Sequence, residues 1–551
     1  MSEPWTSTRG VVIADLVPSE QRHAWVDAGL CSHRDVHALF ADHARRAPER
    51  DAVIDSRGTL SYAGLASEVR RLAAALVEAG CGARDIIALQ LPNDRRAVAA
   101  ELAVAAIGAV ALPYPCGRGI RDSLNLIARS RATAAIVAES AGGVPLAANL
   151  AALRPQLPEL EEILVFGEPA PGCRSLDGMG TLGAGHWCGR AIDPEAPVRI
   201  LVSSGSESAP KMVAYSHNAM AGGRGNWVAQ LNVGPEPLRG LVLVPLSSSY
   251  GSLGTYVSLA RHGGTLVLLD AFDPGDAVAA MTAHRPTHVF GVPTMLRRMA
   301  GRPPAIDEDL SSLRAIVSSA APPDTSTSDA CRRRFGHTVI NTYGSSDGVN
   351  CHTGPDPTKA PPGSAGHPNP NASEIRIVAP DGEALGPGQE GEIQALGPMT
   401  PLCYVNAPDL DARHRAPGGW VRTGDRGVLG DDGALYVVGR MRQIVSRGGY
   451  KISPADVEGQ MLAHPGIADA ACVPVPDGDL GERMCACIAL EPGFTLTLAD
   501  INAFLENERG LERRKLPEAL LTLAELPINP TGKTDRQTLN RLATEEYEKR
   551  T

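Results

Sequence analysis

Lysine is rare in this chain. Of 52 lysines and arginines only six are lysine, and three of those, Lys211, Lys451 and Lys533, stand in short runs rich in glycine or hydroxyl side chains. An arginine-biased chain that keeps lysine there keeps a compact point charge where one is useful. In residues 200–217 an aliphatic strand runs into Ser203, Ser204, Gly205, Ser206, Glu207 and Ser208, then Pro210 and Lys211. Such a loop offers backbone N–H groups, hydroxyl donors and one cation, the equipment for holding a polyphosphate; a serine-rich turn is the plainer alternative. Residues 341–347 supply Asn341, Thr342, an aromatic face at Tyr343, Gly344, hydroxyls at Ser345 and Ser346, and a carboxylate at Asp347. Asp425 follows a glycine turn, Gly439 and Arg440 follow a strand, and Lys533 is presented on a tight turn within residues 529–536.

Four other patterns carry less. Gly178, Gly180 and Gly183 fit G-x-G-x-x-G, but the nearest strand ends well before them and no amphipathic helix comes after, so a loop is expected. Gly344, Ser346 and Gly348 fit a nucleophile elbow after a strand, which keeps a serine hydrolase using Ser346 as an alternative; residues 349–355 cannot continue as the helix that motif needs. Residues 527–534 end like a phosphate-binding P-loop, yet Pro527 sits where its first glycine belongs. His33 and His37 would share a helix face but have no third ligand nearby.

The elements that must position these groups alternate from residue 36 onward: a helix at 37–45, a strand at 51–54, a helix at 65–78 and a strand at 86–91. Further strands are expected at 134–137, 162–166, 200–203, 241–245, 265–269, 288–290, 315–318 and 339–341. Alternation of this kind predicts an α/β fold with mainly parallel strands. After Pro370 the texture becomes hairpins, with Asp381-Gly382 and Asp432-Gly433 as turn dipeptides. Beyond Arg442 a strand, a helix at 454–462, strands at 468–475 and 485–490 and a helix at 498–508 predict a small α+β unit. The expected division is 1–442, an α/β body with a β-rich subdomain, and 443–551, a small mobile domain.

At 551 residues, 43% hydrophobic and 21% charged, the chain exceeds what one core serves and is composed like a globular protein. A net charge of −10 argues against a nucleic-acid binder. The longest apolar stretch, 97–112, is broken by Glu101 and Gly108 and falls short of the roughly 20 residues a bilayer needs, so no membrane span is expected. The polar first residues lack a signal peptide's pattern, and 11 cysteines without a C-x-x-C pair fit a reduced, cytoplasmic chain. Cys485 and Cys487 are expected to be packing residues.

In their order and spacing the lysine- and carboxylate-bearing runs resemble the adenylate-forming superfamily of acyl-CoA synthetases, aryl-acid ligases, carrier-loading adenylation domains and luciferases. The resemblance spans about Arg22 to Arg536, and residues 22–25, 90–93 and 111–113 are most like the stand-alone aryl-acid ligases. It implies a two-step reaction: a carboxylate attacks the α-phosphate of ATP with loss of pyrophosphate, and a nucleophile, usually a thiol, takes the acyl group. It further implies that Ser203, Ser204, Gly205, Ser206 and Lys211 grip phosphates, and that Ser319, Ala320, Ala321, Asn341, Thr342, Tyr343, Gly344 and Tyr436 border the nucleotide, with Tyr343 stacking on adenine. Ser346 would touch the α-phosphate, Asp347 and Ser206 would hold Mg2+, Asp425 with Arg440 nearby would bind the ribose, and Lys533 would approach the reacting oxygens. Ser248, Ser249, Tyr250 and Ser319 would line the acid pocket. Rotation about Gln443 would bring Gly448, Gly449 and Lys451 to the site for the second step.

Several positions depart from the superfamily's usual pattern. Glu207 and Ser208 replace Thr/Ser and Gly, Asp347 replaces Glu, Gln443 replaces Asp or Lys, and Ser248 replaces His or an aromatic. Ser249 stands where amino-acid-activating domains carry Asp, which disfavours an α-amino acid, and Ser249, Tyr250 and Ser319 together suit an aryl or small hydroxylated acid better than a long fatty chain. The implied acceptor is CoA or the phosphopantetheine of a carrier protein acting in trans, with an amine as the alternative. A non-catalytic nucleotide binder and a homodimer also remain open.

Overall fold

The computed structural model describes residues 4–180, 191–203, 210–232, 234, 236–304, 308–323, 325–441, 445–447, 450–478, 480–529 and 533–549. Two largely parallel sheets frame the body. The seven-stranded sheet runs, edge to edge, Met212–Ser216, Pro197–Val202, Val110–Pro113, Ile86–Gln90, Ala134–Ala138, Glu162–Phe166 and Arg174–Ser175. The nine-stranded sheet runs His367–Pro368, Asn350–His352, Val339–Gly344, Ala315–Ser319, His288–Gly291, Arg239–Val242, Thr265–Leu268, Asp51–Asp55 and Gly58–Ser61. Their central strands read as unbroken aliphatic runs because both faces are covered.

Between the sheets lie Tyr62–Glu78 and Arg95–Ala106, whose buried alanines let helices and strands approach closely. Ser61 accepts the Gly64 N–H and Asp94 the Arg96 N–H, capping the two starts. The Ser61 cap is why the first of these begins at Tyr62, earlier than the apolar period at 65–78 suggests. Helices Ile120–Ser130 and Leu146–Leu153 cover the outer face of the first sheet, and Pro274–His284, Pro293–Ala300 and Thr325–Phe335 that of the second.

The expected hairpins form a four-stranded antiparallel sheet of Glu374–Val378, Glu390–Leu396, Val421–Leu429 and Leu435–Arg440. From Val445 onward a separate five-stranded sheet packs with Pro454–Met461, Leu498–Asn507 and Arg536–Glu548 on two apolar clusters of its own. Cys485 and Cys487 are both buried in one of these clusters, beside Leu526 and Leu539. The unit touches the body through Arg297, which donates to the Ala468 carbonyl, and through Arg298, 3.1 Å from Glu525. Arg442 and Gln443 lie outside the described residues.

Besides the earlier start of helix Tyr62–Glu78, the structure differs from the sequence-based expectation in four places. The helix expected at 37–45 starts at Val36 with Asp35 as its cap, so His33 precedes it and shares no helical face with His37. The strand expected at 339–341 extends to Gly344, because Asn350–His352 folds back to pair with it. The strand expected at 241–245 ends at Val242, and the segment beyond it is pinned by Asn93, which bonds Val244 O and Leu246 N at 2.9 and 2.8 Å. Two wide π-helices, Asn218–Arg224 and Gly254–Arg261, had no counterpart in the sequence patterns. A Cβ on Gly223 would lie 2.2 Å from the Met399 backbone, so a glycine pair that reads as a helix breaker is required by close approach. No helix among the described residues is long and apolar enough to cross a membrane.

Candidate active site

Four residues from four separate runs converge where the β-rich subdomain meets the nine-stranded sheet. Asp425 and Arg440 are register partners on adjacent antiparallel strands, with Arg440 Nε 3.2 Å from Asp425 Oδ1. Tyr343, at the end of its strand, donates its hydroxyl to Asp425 Oδ2 at 2.7 Å. Asp425 is only 5% exposed, and burial raises its pKa against the opposing pull of Arg440 and the Tyr343 hydroxyl. Burial, then the Asp425 charge, drive the Tyr343 phenol far above its ordinary range. Lys533 completes the group. Its turn is tied by Lys533 N to Asn529 Oδ1 at 3.2 Å and by Asn529 N to Lys533 O at 2.7 Å. The residue is exposed on that turn, yet surrounding protein lowers the pKa of its ammonium, Arg440 lowers it further, and Asp425 raises it.

A second cluster surrounds Asp347. The Tyr404 hydroxyl donates to Asp347 Oδ1, and burial followed by the Asp347 charge pushes that phenol well up. Lys211 Nζ sits 5.7 Å from the Tyr404 ring centre and 3.0 Å from His414 Nε2. His414 Nδ1 lies 3.3 Å from the Arg422 carbonyl; a proton there leaves Nε2 free to accept from the lysine. Ser203 N bonds Lys211 O at 3.0 Å, closing the loop between them, while Arg118 and Arg129 hold the Ser203 and Pro210 carbonyls at 3.4 and 2.9 Å. Ser204, Gly205, Ser206, Glu207 and Ser208 lie outside the described residues, as do Gln443, Gly448, Gly449 and the side chain of Lys451.

The residues expected at the acid pocket also meet. Ser248 Oγ accepts the Gly251 N–H at 2.9 Å in a turn so tight that a Cβ on Gly251 would stand 1.9 Å from Pro245 O. Tyr250 reaches from that turn to the Val317 carbonyl at 3.0 Å, joining Ser248 and Ser249 to the strand that ends at Ser319. Ala320 then adopts φ 81°, a left-handed conformation that costs a residue with a Cβ, and turns the chain toward Ala321. Thr342 pairs with both Ser319 and His352, and Gly344 with Asn350, which puts Ser319, Thr342, Asn350 and His352 on one face. Thr342 Oγ1, Asn350 Oδ1 and His352 Nε2 are buried there without partners among the described residues. Sequence reasoning missed Asn350, His352, Tyr404 and His414; only the short strand that pairs back onto residues 342–344 reveals the first two. Tyr436 is not brought in: its ring lies near Gly430, at the other end of the hairpin from Arg440.

The chemistry of the donor set fits a nucleotide with its divalent cation. Among the described residues Ser203 Oγ is buried and unpaired and Asp347 keeps its second oxygen unbonded, and the Tyr343 face, the Asp425 carboxylate and the Lys533 ammonium adjoin. A hydrolase is a poor fit. No histidine bonds Ser346 Oγ among the described residues, and the chain beyond it enters a strand rather than a helix.

Comparison with known proteins identifies the family. The family described as AMP-binding enzyme matches residues 40–405, and the AMP-binding enzyme C-terminal domain matches residues 456–533. The chain is 32% identical over 543 residues to a salicyl-AMP ligase / salicyl-S-ArCP synthetase of Mycobacterium tuberculosis, covering 95% of this chain and 93% of that one. It is 29% identical to a 2-hydroxy-7-methoxy-5-methyl-1-naphthoate–CoA ligase of Streptomyces carzinostaticus, over 96% of each chain. Among solved structures, the amide bond synthetase McbA of Marinactinospora thermotolerans superposes with a TM-score of 0.79 at 29% identity, covering 92% of this chain and 99% of that one.

Proposed function

Because the chain belongs to the AMP-binding enzyme family of adenylate-forming ligases, we propose that it joins an aryl acid to AMP with release of pyrophosphate and then passes the acyl group to a thiol. The observation that carries the reading is the meeting of Tyr343, Asp425, Arg440 and Lys533. Adenylation of a carboxylate develops charge on phosphate and carboxylate oxygens and needs a cation more than a base. Lys533 is that cation. Its turn belongs to the small unit while Asp425 and Arg440 belong to the body, so the arrangement is complete only when the two parts are closed on each other. Tyr343 offers a face for adenine, the buried Asp425 accepts ribose hydroxyls, and Ser203 and Lys211 hold phosphate. Asp347 and Ser206 would hold magnesium, which would supply the charge neutralisation that makes pyrophosphate a leaving group. Tyr404 orients Asp347, and His414 positions Lys211.

The division at 442/443 and a swivel about Gln443 belong to the same proposal, with Gly448, Gly449 and Lys451 lining the site in the second step. An aryl acid with polar substituents fits the face of Ser319, Thr342, Asn350 and His352, where the unpaired buried atoms of the last three need partners. For the acceptor we place CoA or a carrier-protein phosphopantetheine first. The likeness to an amide bond synthetase favours an amine as second reading. Acid-dependent exchange of labelled pyrophosphate into ATP tests the first step. Its absence over a broad panel of aryl and alkyl acids would remove the ligase reading, and acyl transfer to added amines but to no thiol would reverse the order of acceptors.

A further inference from the structure

Among the described residues, three arginines are buried: Arg22, Arg199 and Arg224. The first two have carboxylates, Asp15 at 2.9 Å and Glu101 at 2.6 Å. Arg224, 5% exposed at the end of the π-helix Asn218–Arg224, has none among the described residues. Its guanidinium packs 4.9 Å from the Tyr215 ring centre. Nη1 donates to Ser249 O at 3.1 Å and to Ser252 Oγ at 3.2 Å, and Nη2 donates to the Tyr215 hydroxyl at 3.2 Å. Nε is buried and bonds nothing. Two of the five N–H groups therefore bond no described residue, on a charge taken out of water with no paired carboxylate among the described residues, a cost that an arriving acceptor would relieve.

Its position says what kind of partner. Through Nη1 it backs Ser249 in the acid-pocket turn. Through Nη2 and Tyr215, whose hydroxyl donates to Ser346 O at 2.8 Å, it lies two hydrogen bonds from the turn that carries Ser346 and Asp347. The geometry points to Arg224 as a specificity-determining residue that pairs with an oxygen substituent, hydroxyl or carboxylate, placed beside the carboxyl group of the acid. The assignment rests on the proposed ligase reading, in which the carboxyl is activated at the Ser346–Asp347 turn. A substituent at the far end of a long chain would not lie this close to that turn.

The test compares benzoate, 2-hydroxybenzoate and benzene-1,2-dicarboxylate in pyrophosphate exchange. Wild-type enzyme is expected to favour one or both substituted acids over benzoate by about 10- to 100-fold in kcat/KM, the factor a hydrogen bond to a charged group supplies; which of the two leads identifies the substituent. Arg224→Met should collapse that ratio toward one, and Arg224→Lys should keep part of it. Tyr215→Phe, which cuts the link to Ser346 but leaves the guanidinium, should lower exchange with all acids together and preserve the ratio. Equal use of all three acids by wild-type enzyme overturns the assignment with no variant needed, as does Arg224→Met lowering every acid by the same factor. Exchange with unsubstituted acids only would leave the ligase standing and sink this inference, whereas no exchange with any acid removes both.

Discussion

Replacing Lys533 by alanine separates a reacting charge from a surface lysine. The side chain makes no hydrogen bond to a described residue, and its residue is exposed on a turn held by the backbone and Asn529, so the fold loses little. Surrounding protein and Arg440 lower the ammonium's pKa, against the upward pull of Asp425, so the folded state binds this proton less firmly than the unfolded chain does. Stability then rises as pH climbs through the window between the lowered value and the ordinary 10.5. At neutral pH the charged lysine slightly opposes folding, and Lys533→Ala should leave the melting temperature unchanged or raise it a little. Function should respond in the opposite sense. Loss of one preorganised donor at a developing oxyanion costs about 10²- to 10³-fold in rate, or about 2.7–4 kcal/mol. Pyrophosphate exchange at saturating acid is therefore expected to fall by that factor, and the alkaline limb of the wild-type pH–rate profile should lie below the ordinary lysine range. Exchange within about threefold of wild type would falsify the role. A clear drop in melting temperature would instead show that Lys533 supports the structure.

Three other outcomes are expected. Tyr404→Phe removes the donor to Asp347 and should raise the KM for magnesium-ATP about tenfold, the worth of one charge-assisted hydrogen bond, with a small change in melting; an unchanged KM counts against Asp347 as metal ligand. Glu101→Gln leaves Arg199 buried without its carboxylate and should cost about 3–5 kcal/mol in urea unfolding, so a loss below about 1 kcal/mol would show the pair to be dispensable. His262 and His352 are held by burial at about 4, against 6.5 when free, so each stays neutral in the folded chain while the unfolded chain takes up protons. Stability should be flat above 6.5 and fall by about 3 kcal/mol for each as pH drops from 6.5 to 4; His262→Gln should flatten that slope, and an unaltered slope would point to other groups.

The runs that meet at the candidate site could be picked out because the chemistry proposed for them is local. Ser203, Lys211, Tyr343 and Asp347 carry their proposed meaning in neighbouring residue types, and Lys533 in the turn that presents it; Asp425, expected after a glycine turn, stands within strand Val421–Leu429. Strand positions were legible for the same reason: an aliphatic run buried on both faces needs no distant information. Arg224 was not. Its runs of neighbours are alanine, glycine and asparagine, and nothing local tells that Tyr215, Ser249 and Ser252 enclose it or that no carboxylate accompanies it inside. Tyr404 and His414 stand in an ordinary polar stretch and acquire roles only where the chain returns to Asp347 and Lys211. The π-helix at Asn218–Arg224 escaped for a related reason: Gly222 and Gly223 are there for Cys31 and Met399, distant in sequence.

Arg199 has a consequence that reaches beyond its ion pair. It belongs to strand Pro197–Val202, which leads straight into Ser203, proposed to hold phosphate, while its Nη2 holds the Leu246 carbonyl at 2.7 Å, just before the Ser248–Tyr250 turn. Glu101, on a helix between the sheets, grips the same guanidinium, and Asn93 fixes Leu246 from the other side. On the proposed function, the spacing between the places for phosphate and for acid is set by the interior before either reactant arrives, and the entropy of aligning them is spent during folding rather than at each turnover. A lesion there should leave both reactants able to bind and spoil only their mutual approach, so that damage deep in the core would read in the kinetics as a loss of effective concentration.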